Sequence, residues 1–430
     1  MQKKPNESNN VEPACAPRRG VSRFLHGTFA SLENPVYRIY YFSMAGHWSS
    51  MNMQTFARAL LIYRLTGSGA ILGLSSLAAA IPMLIFSLPA GAIADRVQKR
   101  TVLIWGQAGS AVVSLGVALS LVLGYLGPDN PGSWWVLVAS PALQSSIMGI
   151  ILPSRQAIIS EIVSNEQLMN AISVNNMGMN TFRILAPALT GVLIDLFDFY
   201  IVFFIITALY SMATVLVAMI PPARGPKVPA GGGTLNEVLD GWRYIRREKA
   251  LFLVLLFTVL ATVFGAPYAQ LLPMFTEGIF DLSATGTGLF ITVSGVGAIL
   301  ASLILANLRN KNRGIIMVFA GLLMGVALLA FSLSKWWYIS LGVIFLVGLG
   351  SSGQMALGNS LIQYYADTAY RGRVMSFFMM GFGFGALGTF LAGILAEVAG
   401  VQWAVGSFAL ILVVYAVWVL NFTRPLRKLD

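Results

Sequence analysis

Apolar stretches of about 20 residues alternate with short polar intervals along this chain, and twelve of them follow one another. A hydrocarbon layer about 30 Å thick takes roughly 20 residues of helix to cross, so each stretch predicts a membrane span. The predicted limits are 37–64, 70–93, 101–125, 134–153, 168–195, 199–220, 250–275, 284–307, 314–334, 336–360, 374–397 and 402–422. The longest interval, "PPARGPKVPAGGGTLNEVLDGWRYIRREKA" from Pro221, begins as a Pro/Gly linker and ends in a basic segment that predicts a short helix on the membrane surface. With six spans before it and six after, the expected organisation is a tail (1–34), a six-helix bundle (35–222), a linker with the surface helix (223–249), a second bundle (250–423) and a closing tail (424–430). The first tail is polar and Pro/Asn/Ser-rich, without the apolar run of a signal peptide.

Composition removes the soluble alternatives. The chain is 57% hydrophobic and 10% charged, and a soluble fold of 430 residues could not hide that much apolar surface. Cys15 is the only cysteine, and His26 and His47 are the only histidines, which rules out an intrachain disulfide and leaves little for a metal. The net charge of +11 would suggest a nucleic-acid partner in a soluble protein. Here nearly all the bases fall before the first span, in the even-numbered intervals or after the last span, whereas Asp129, Asp195, Asp198 and Asp281 lie at the other face. The positive-inside rule then places both termini in the cytoplasm of a multi-pass protein of the plasma membrane. The bases read as retention signals and contacts to membrane lipids, with no nucleic acid implied.

The two halves share short matches. "GVLIDLFDFYIVF" from Gly191 and "GILAEVAGVQWAV" from Gly393 place Gly, apolar residues and an acid in one register, pairing Asp195 with Glu397. "TGSGAILGL" from Thr66 and "ATGTGLFI" from Ala284 each open a span that ends in a basic interval. Two related six-helix bundles are a transporter architecture, with the substrate site at their interface.

The second interval holds "GAIADRVQKR", one acid among three bases. It resembles the charged loop between helices two and three of the major facilitator superfamily, with Gly91, Asp95, Arg96, Lys99 and Arg100 matching and Gln98 where the motif has Gly. "LTGSGAILGL", "IPMLIFSLPAGAIADR", "LPSRQAIISEIV", "NAISVNN", "RILAPALTGVLI" and "RGRVMS" resemble its transmembrane secretion effector and enterobactin-exporter branch. Pro187 and Gly191 also resemble part of the Gly-Pro motif of drug antiporters, with Ala186 and Thr190 in place of glycines. The resemblance implies an all-α fold of twelve transmembrane helices in two pseudo-symmetric bundles, and a gate in which Asp95 faces the start of helix eleven, beside Arg371 and Arg373, when the cytoplasmic side is shut. A helix N-terminus attracts such a carboxylate. The other reading of the block is a topology signal, which needs the bases and no acid.

Within the spans, charge is expensive and marks function. His47, Gln54 and Arg58 share one face of the first span, and Asn176, Asn180 and Arg183 share one face of the fifth, so both stripes are expected to turn toward other helices or a wet cavity. These six are the candidate substrate-binding residues. Arg58 could instead snorkel to the nearer surface, and His47 could serve as a cross-helix hydrogen bond. Gln144, Thr258, Thr262, Ser352, Asn359 and Gln363 are weaker additions, since the resemblance implies that helices one, four, seven and ten line the cavity. "GLGSSG" and "GFGALG" fit a dinucleotide pattern but lie inside apolar spans, where close helix packing explains them. No catalytic constellation and no cofactor motif is legible. The expectation is a monomeric secondary active exporter of an amphiphilic small molecule (a drug, siderophore or lysolipid), with protons as candidate coupling ions; no acid lies mid-span, so His47 or an outer carboxylate would carry the proton, or the protein would be a facilitator. The alternative is a non-transporting membrane receptor or scaffold on the same fold.

Overall fold

The computed structural model describes residues 29–222, 235–308, 311–368 and 370–423, with the side chains of 87–96 and 235–239 outside the described set. Residues 1–28 of the first expected tail, the closing tail and most of the Pro/Gly linker therefore lie outside the described residues, while the last six residues of that first tail are described and carry a short 3-10 turn, Ala30–Glu33, with Ser31 buried. The described chain is all-α. Six helices form the first bundle: α1 (Pro35–Thr66), α2 (Gly69–Arg96), α3 (Lys99–Val122), α4 (Trp135–Ile162), α5 (Asn165–Leu196) and α6 (Phe199–Ala218). The surface helix α7 (Leu235–Arg247) follows, and then the second bundle: α8 (Lys249–Gly265), α9 (Pro267–Thr276), α10 (Ala284–Asn307), α11 (Arg313–Leu333), α12 (Trp337–Tyr365), α13 (Arg371–Ala399) and α14 (Val401–Phe422).

Eleven segments among the described residues are long and apolar enough to cross a membrane, counting α8 and α9 as one. The twelfth span is α1, whose 32 residues are ample in length but too polar for that criterion. Its polar side chains are affordable because the bundle encloses them: Ser43, His47, Ser50, Gln54 and Arg58 are all buried. Asn34 starts the helix by accepting from the N–H groups of Val36 (2.9 Å) and Tyr37 (3.2 Å), with Pro35 in the first turn. Gly67, at φ 63°, ends it in the left-handed conformation that a side chain would oppose.

Two helices differ most from the sequence expectation. α4 continues nine residues beyond 153, through Pro153 and Arg155 to Ile162, because Ser154, Ile158 and Ile159 pack inward and keep that stretch attached to the bundle. Arg155 therefore belongs to the helix and not to the fourth interval, and its carbonyl accepts from the Tyr40 hydroxyl (3.0 Å). The seventh span is broken between Gly265 and Pro267, where proline has no N–H to continue the ladder. The freed carbonyl of Val263 lies against α13, so close that a Cβ at Gly388 would stand 2.3 Å from it.

The connections alternate between two faces. One, the basic face, carries the start of α1, the α2–α3 turn, α7 and the start of α13; the other, the acidic face, carries Asp195, Asp198, Glu277, Asp281 and Glu397. α7 is fastened to the second bundle: Tyr244 stacks on Tyr370 (4.3 Å between centroids) and accepts from the Asp367 N–H (3.1 Å), while Trp242 lies against Phe377. Burial there pushes the Tyr244 hydroxyl up from its ordinary pKa.

The bundles meet along two helix pairs, α2 with α13 and α5 with α10. Glycines set the crossings. A Cβ at Gly393 would stand 2.2 Å from the Gly69 carbonyl, and one at Gly191 would stand 2.5 Å from that of Ala284. Just beyond, on the acidic face, Asp195 accepts from the N–H groups of Ala284 (3.1 Å) and Thr285 (2.8 Å), and Glu397 accepts from Ala70 N–H (3.3 Å) and from the Ser68 hydroxyl. Arg64 and Glu277 add an ion pair at 2.7 Å across the same face. The segments matched as repeats in the sequence are thus the segments that touch.

Candidate functional site: a cavity between the bundles

Between the bundles lies a cavity of about 940 Å³. The first bundle contributes Asn52, Thr55, Phe56 and Ala59 from α1 and Met177, Asn180, Arg183 and Pro187 from α5; the second contributes Thr262, Tyr268, Gln270, Phe290, Ser294, Gln354, Met355, Asn359 and Phe378 among others. The wall reaches Leu303 on α10 and Asn359 on α12, toward the basic-face ends of those helices, so the mouth opens on the basic face. The cross-bundle contacts described above close the acidic face.

Among the lining residues Arg183 is the only formally charged side chain. No ion pair to it is found among the described residues, and Tyr268, on the wall of the other bundle, has its hydroxyl 3.3 Å from Ser294 Oγ. An aromatic and methionine-rich wall around one uncompensated guanidinium suits an amphiphile with a negatively charged part. Arg supplies a planar fork of donors for such a group.

The residues matched to known proteins agree with this architecture. The family described as transmembrane secretion effector matches residues 26–430. The chain belongs to that family, a branch of the major facilitator superfamily. It is 27% identical to the staphyloferrin A transporter of Staphylococcus aureus over 77% of this chain and 82% of that protein. It is 23% identical to macrolide efflux protein A of Streptococcus pyogenes over 91% and 97%. A solved variant of the nucleoside transporter NupG shares the fold with a TM-score of 0.73 at 14% identity, covering 90% of this chain and all of that one. As a major facilitator protein the chain is a multi-pass membrane transporter of small molecules and not an enzyme.

For this secretion effector the structure sorts the six predicted site residues. Asn180 and Arg183 line the cavity; Asn176 is exposed on the same helix but outside the lining set. His47, Gln54 and Arg58 do not face the cavity, which corrects the expectation for α1: they are 1%, 1% and 8% exposed and point into the first bundle. The reason is rotational phase. One stripe of α1 turns to α3, α4 and α6, while the neighbouring stripe of Asn52, Thr55, Phe56 and Ala59 turns to the cavity. His47 lies edge-on to the Tyr210 ring (5.7 Å), and Arg58 donates to Ser140 Oγ at 3.5 Å. Gln144, expected at the cavity, instead donates to Ser110 Oγ (2.9 Å) and Tyr210 (3.1 Å), and α4 contributes nothing to the wall. In its place α5, α10 and α13 line the cavity alongside α1, α8, α9 and α12, with Met324 added from α11. Thr262, Ser352 and Asn359 lie on the wall; Thr258 is buried beside it and Gln363 bonds to Asn359 (3.0 Å). Tyr268, Gln270 and Ser294 were missed, although the Pro267 that breaks the seventh span was a signal for cavity-lining backbone.

Because the His47 cluster is a packing feature of the bundle, His47→Leu is expected to change thermal stability while leaving the set of transported compounds as it is. Melting curves and a substrate panel on the same variant check this. A changed panel at constant melting temperature would contradict it.

The charged block of the second interval divides likewise. The side chains of Gly91, Asp95 and Arg96 lie outside the described residues. Lys99 pairs with Glu161 on α4 and Arg100 donates to the Ala218 carbonyl at the end of α6, so both bases hold the first bundle together in this conformation. Arg371 begins α13 and is exposed, and the Arg373 guanidinium lies 5.3 Å over the Tyr370 ring.

Proposed function

We propose that the protein exports an amphiphilic small molecule across the cytoplasmic membrane by alternating access, taking it from the cavity and releasing it at the opposite face. The observation that carries this reading is the cavity, open at the basic face, largely apolar and holding one uncompensated cation. With the basic face cytoplasmic, as the charge distribution supports, the structure is the inward-facing state, ready to load from inside. Efflux relatives of known name agree with that direction. The substrate carries an anionic or zwitterionic group that Arg183 binds, with Tyr268 and Ser294 as donors from the other bundle. The gate at Asp95 acts in the other state, when the start of α13 comes down on the α2–α3 turn.

The experiment is efflux from cells or loaded vesicles with a panel of lipophilic drugs, siderophores and lysolipids. Export of anionic or zwitterionic members is expected to exceed that of cationic ones. Accumulation unchanged across the whole panel would favour a receptor or scaffold that keeps the fold without moving anything.

A further inference from the structure

The two acidic-face junctions are built to one plan. On α5, Gly191 lets the chain come down on the start of α10, and Asp195, one turn later, accepts the N–H groups of Ala284 and Thr285. On α13, Gly393 does the same against α2, and Glu397, again one turn later, takes Ala70 N–H and the Ser68 hydroxyl. A helix start normally finds its cap in the preceding residue. Ser283, before α10, makes no such side-chain bond, and the Ser68 hydroxyl that accepts from Ile71 N–H (3.1 Å) is itself held by Glu397. Each bundle thus supplies the carboxylate for a helix start of the other. Such caps exist only while the acidic face is shut.

From this we infer that Asp195 and Glu397 are positioning residues of the transport cycle: a twofold pair of caps acting across the bundle interface that sets how often the acidic face opens. The inference rests on the alternating-access reading above. When the bundles part, the freed N–H groups and both carboxylates meet water, so the loss is partly compensated and the latch is weak enough to open in every cycle. Opposite charge at a helix start is the attractive element, and it is additive across two separate helix pairs. The Arg64–Glu277 pair spans the same face but is a surface ion pair with Arg64 well exposed, so it contributes less.

The test measures distance and not transport. In a Cys15→Ser background of the full chain, spin labels at Asp129→Cys and Lys335→Cys, exposed sites on the acidic face of the two bundles, report its opening in lipid nanodiscs. Asp195→Asn and Glu397→Gln keep an acceptor oxygen and lose the charge. Each is expected to raise the ratio of open to closed populations about fivefold, and the double variant about twenty-fivefold, with melting temperature near the parent's. Arg64→Gln should move it less than twofold. An unchanged distance distribution in the double variant, or shifts that only follow a falling melting temperature, would overturn the inference; if the double variant cannot be labelled, Glu397→Gln alone decides by the same criterion. Opening without any flux in the efflux assay would sink the exporter reading and leave the latch standing.

Discussion

Arg183→Gln is expected to lower export of an anionic substrate analogue roughly tenfold to a hundredfold, while expression and membrane insertion stay near the parent's. The magnitude follows from losing a charged hydrogen-bond donor in a water-poor site, worth about 1.5–3 kcal/mol. The direction follows from the wall: no second base lines the cavity to take over the charge, so a bound anion loses its only formal counter-charge. Arg183→Lys should restore part of the activity, because a point charge remains although the planar fork is gone. Comparing an anionic with a cationic analogue in the purified Gln variant is the decisive measurement. If Arg183 merely braces α5, both analogues lose transport equally and the melting temperature falls with them.

Gly393→Val is expected to reduce transport more than tenfold with the protein still folded and inserted. Its Cβ would stand 2.2 Å from the Gly69 carbonyl, a contact between bundles that must form each time the acidic face shuts. Overpacking of this kind costs about 1–3 kcal/mol or more, and here the cost falls on one state of the cycle. Gly348 makes a control of opposite outcome: a Cβ there would stand 1.9 Å from the Ser294 carbonyl, inside the second bundle, in every state. Gly348→Val should therefore lower the yield of folded protein. Detergent-stable yield and flux, measured side by side, check both. Loss of folded Gly393→Val protein comparable to that of Gly348→Val would refute the distinction.

The spans were legible because a hydrocarbon layer imposes its length on apolar segments, and the pairing of Asp195 with Glu397 was legible because the repeat keeps a glycine and an acid one turn apart. The contents of the cavity were legible only in part. Periodicity puts His47, Gln54 and Arg58 on one face of α1, but it cannot say which face turns to the cavity, and the choice is made by what α3, α4 and α6 offer: Ser43 donates to the Ala213 carbonyl of α6 (2.8 Å) and Arg58 finds Ser140 on α4. Arg183 needed no such arbitration, since a cation mid-span on α5 has few places to go. Tyr268 and Ser294 carried no charge to mark them. The broken seventh span became visible only as a backbone feature, although Pro267 stood in the sequence.

The caps across the interface also bear on how the chain is made. Ala70 is synthesised 327 residues before Glu397. At roughly 5–20 residues per second the start of α2 waits about 15 to 65 s for its carboxylate. The first bundle therefore enters the membrane with the Ala70 N–H at the start of α2 and the Asp195 carboxylate both lacking their cross-bundle partners, which they find only when the second bundle arrives. Biogenesis ends, on this view, with the same closure that each transport cycle repeats.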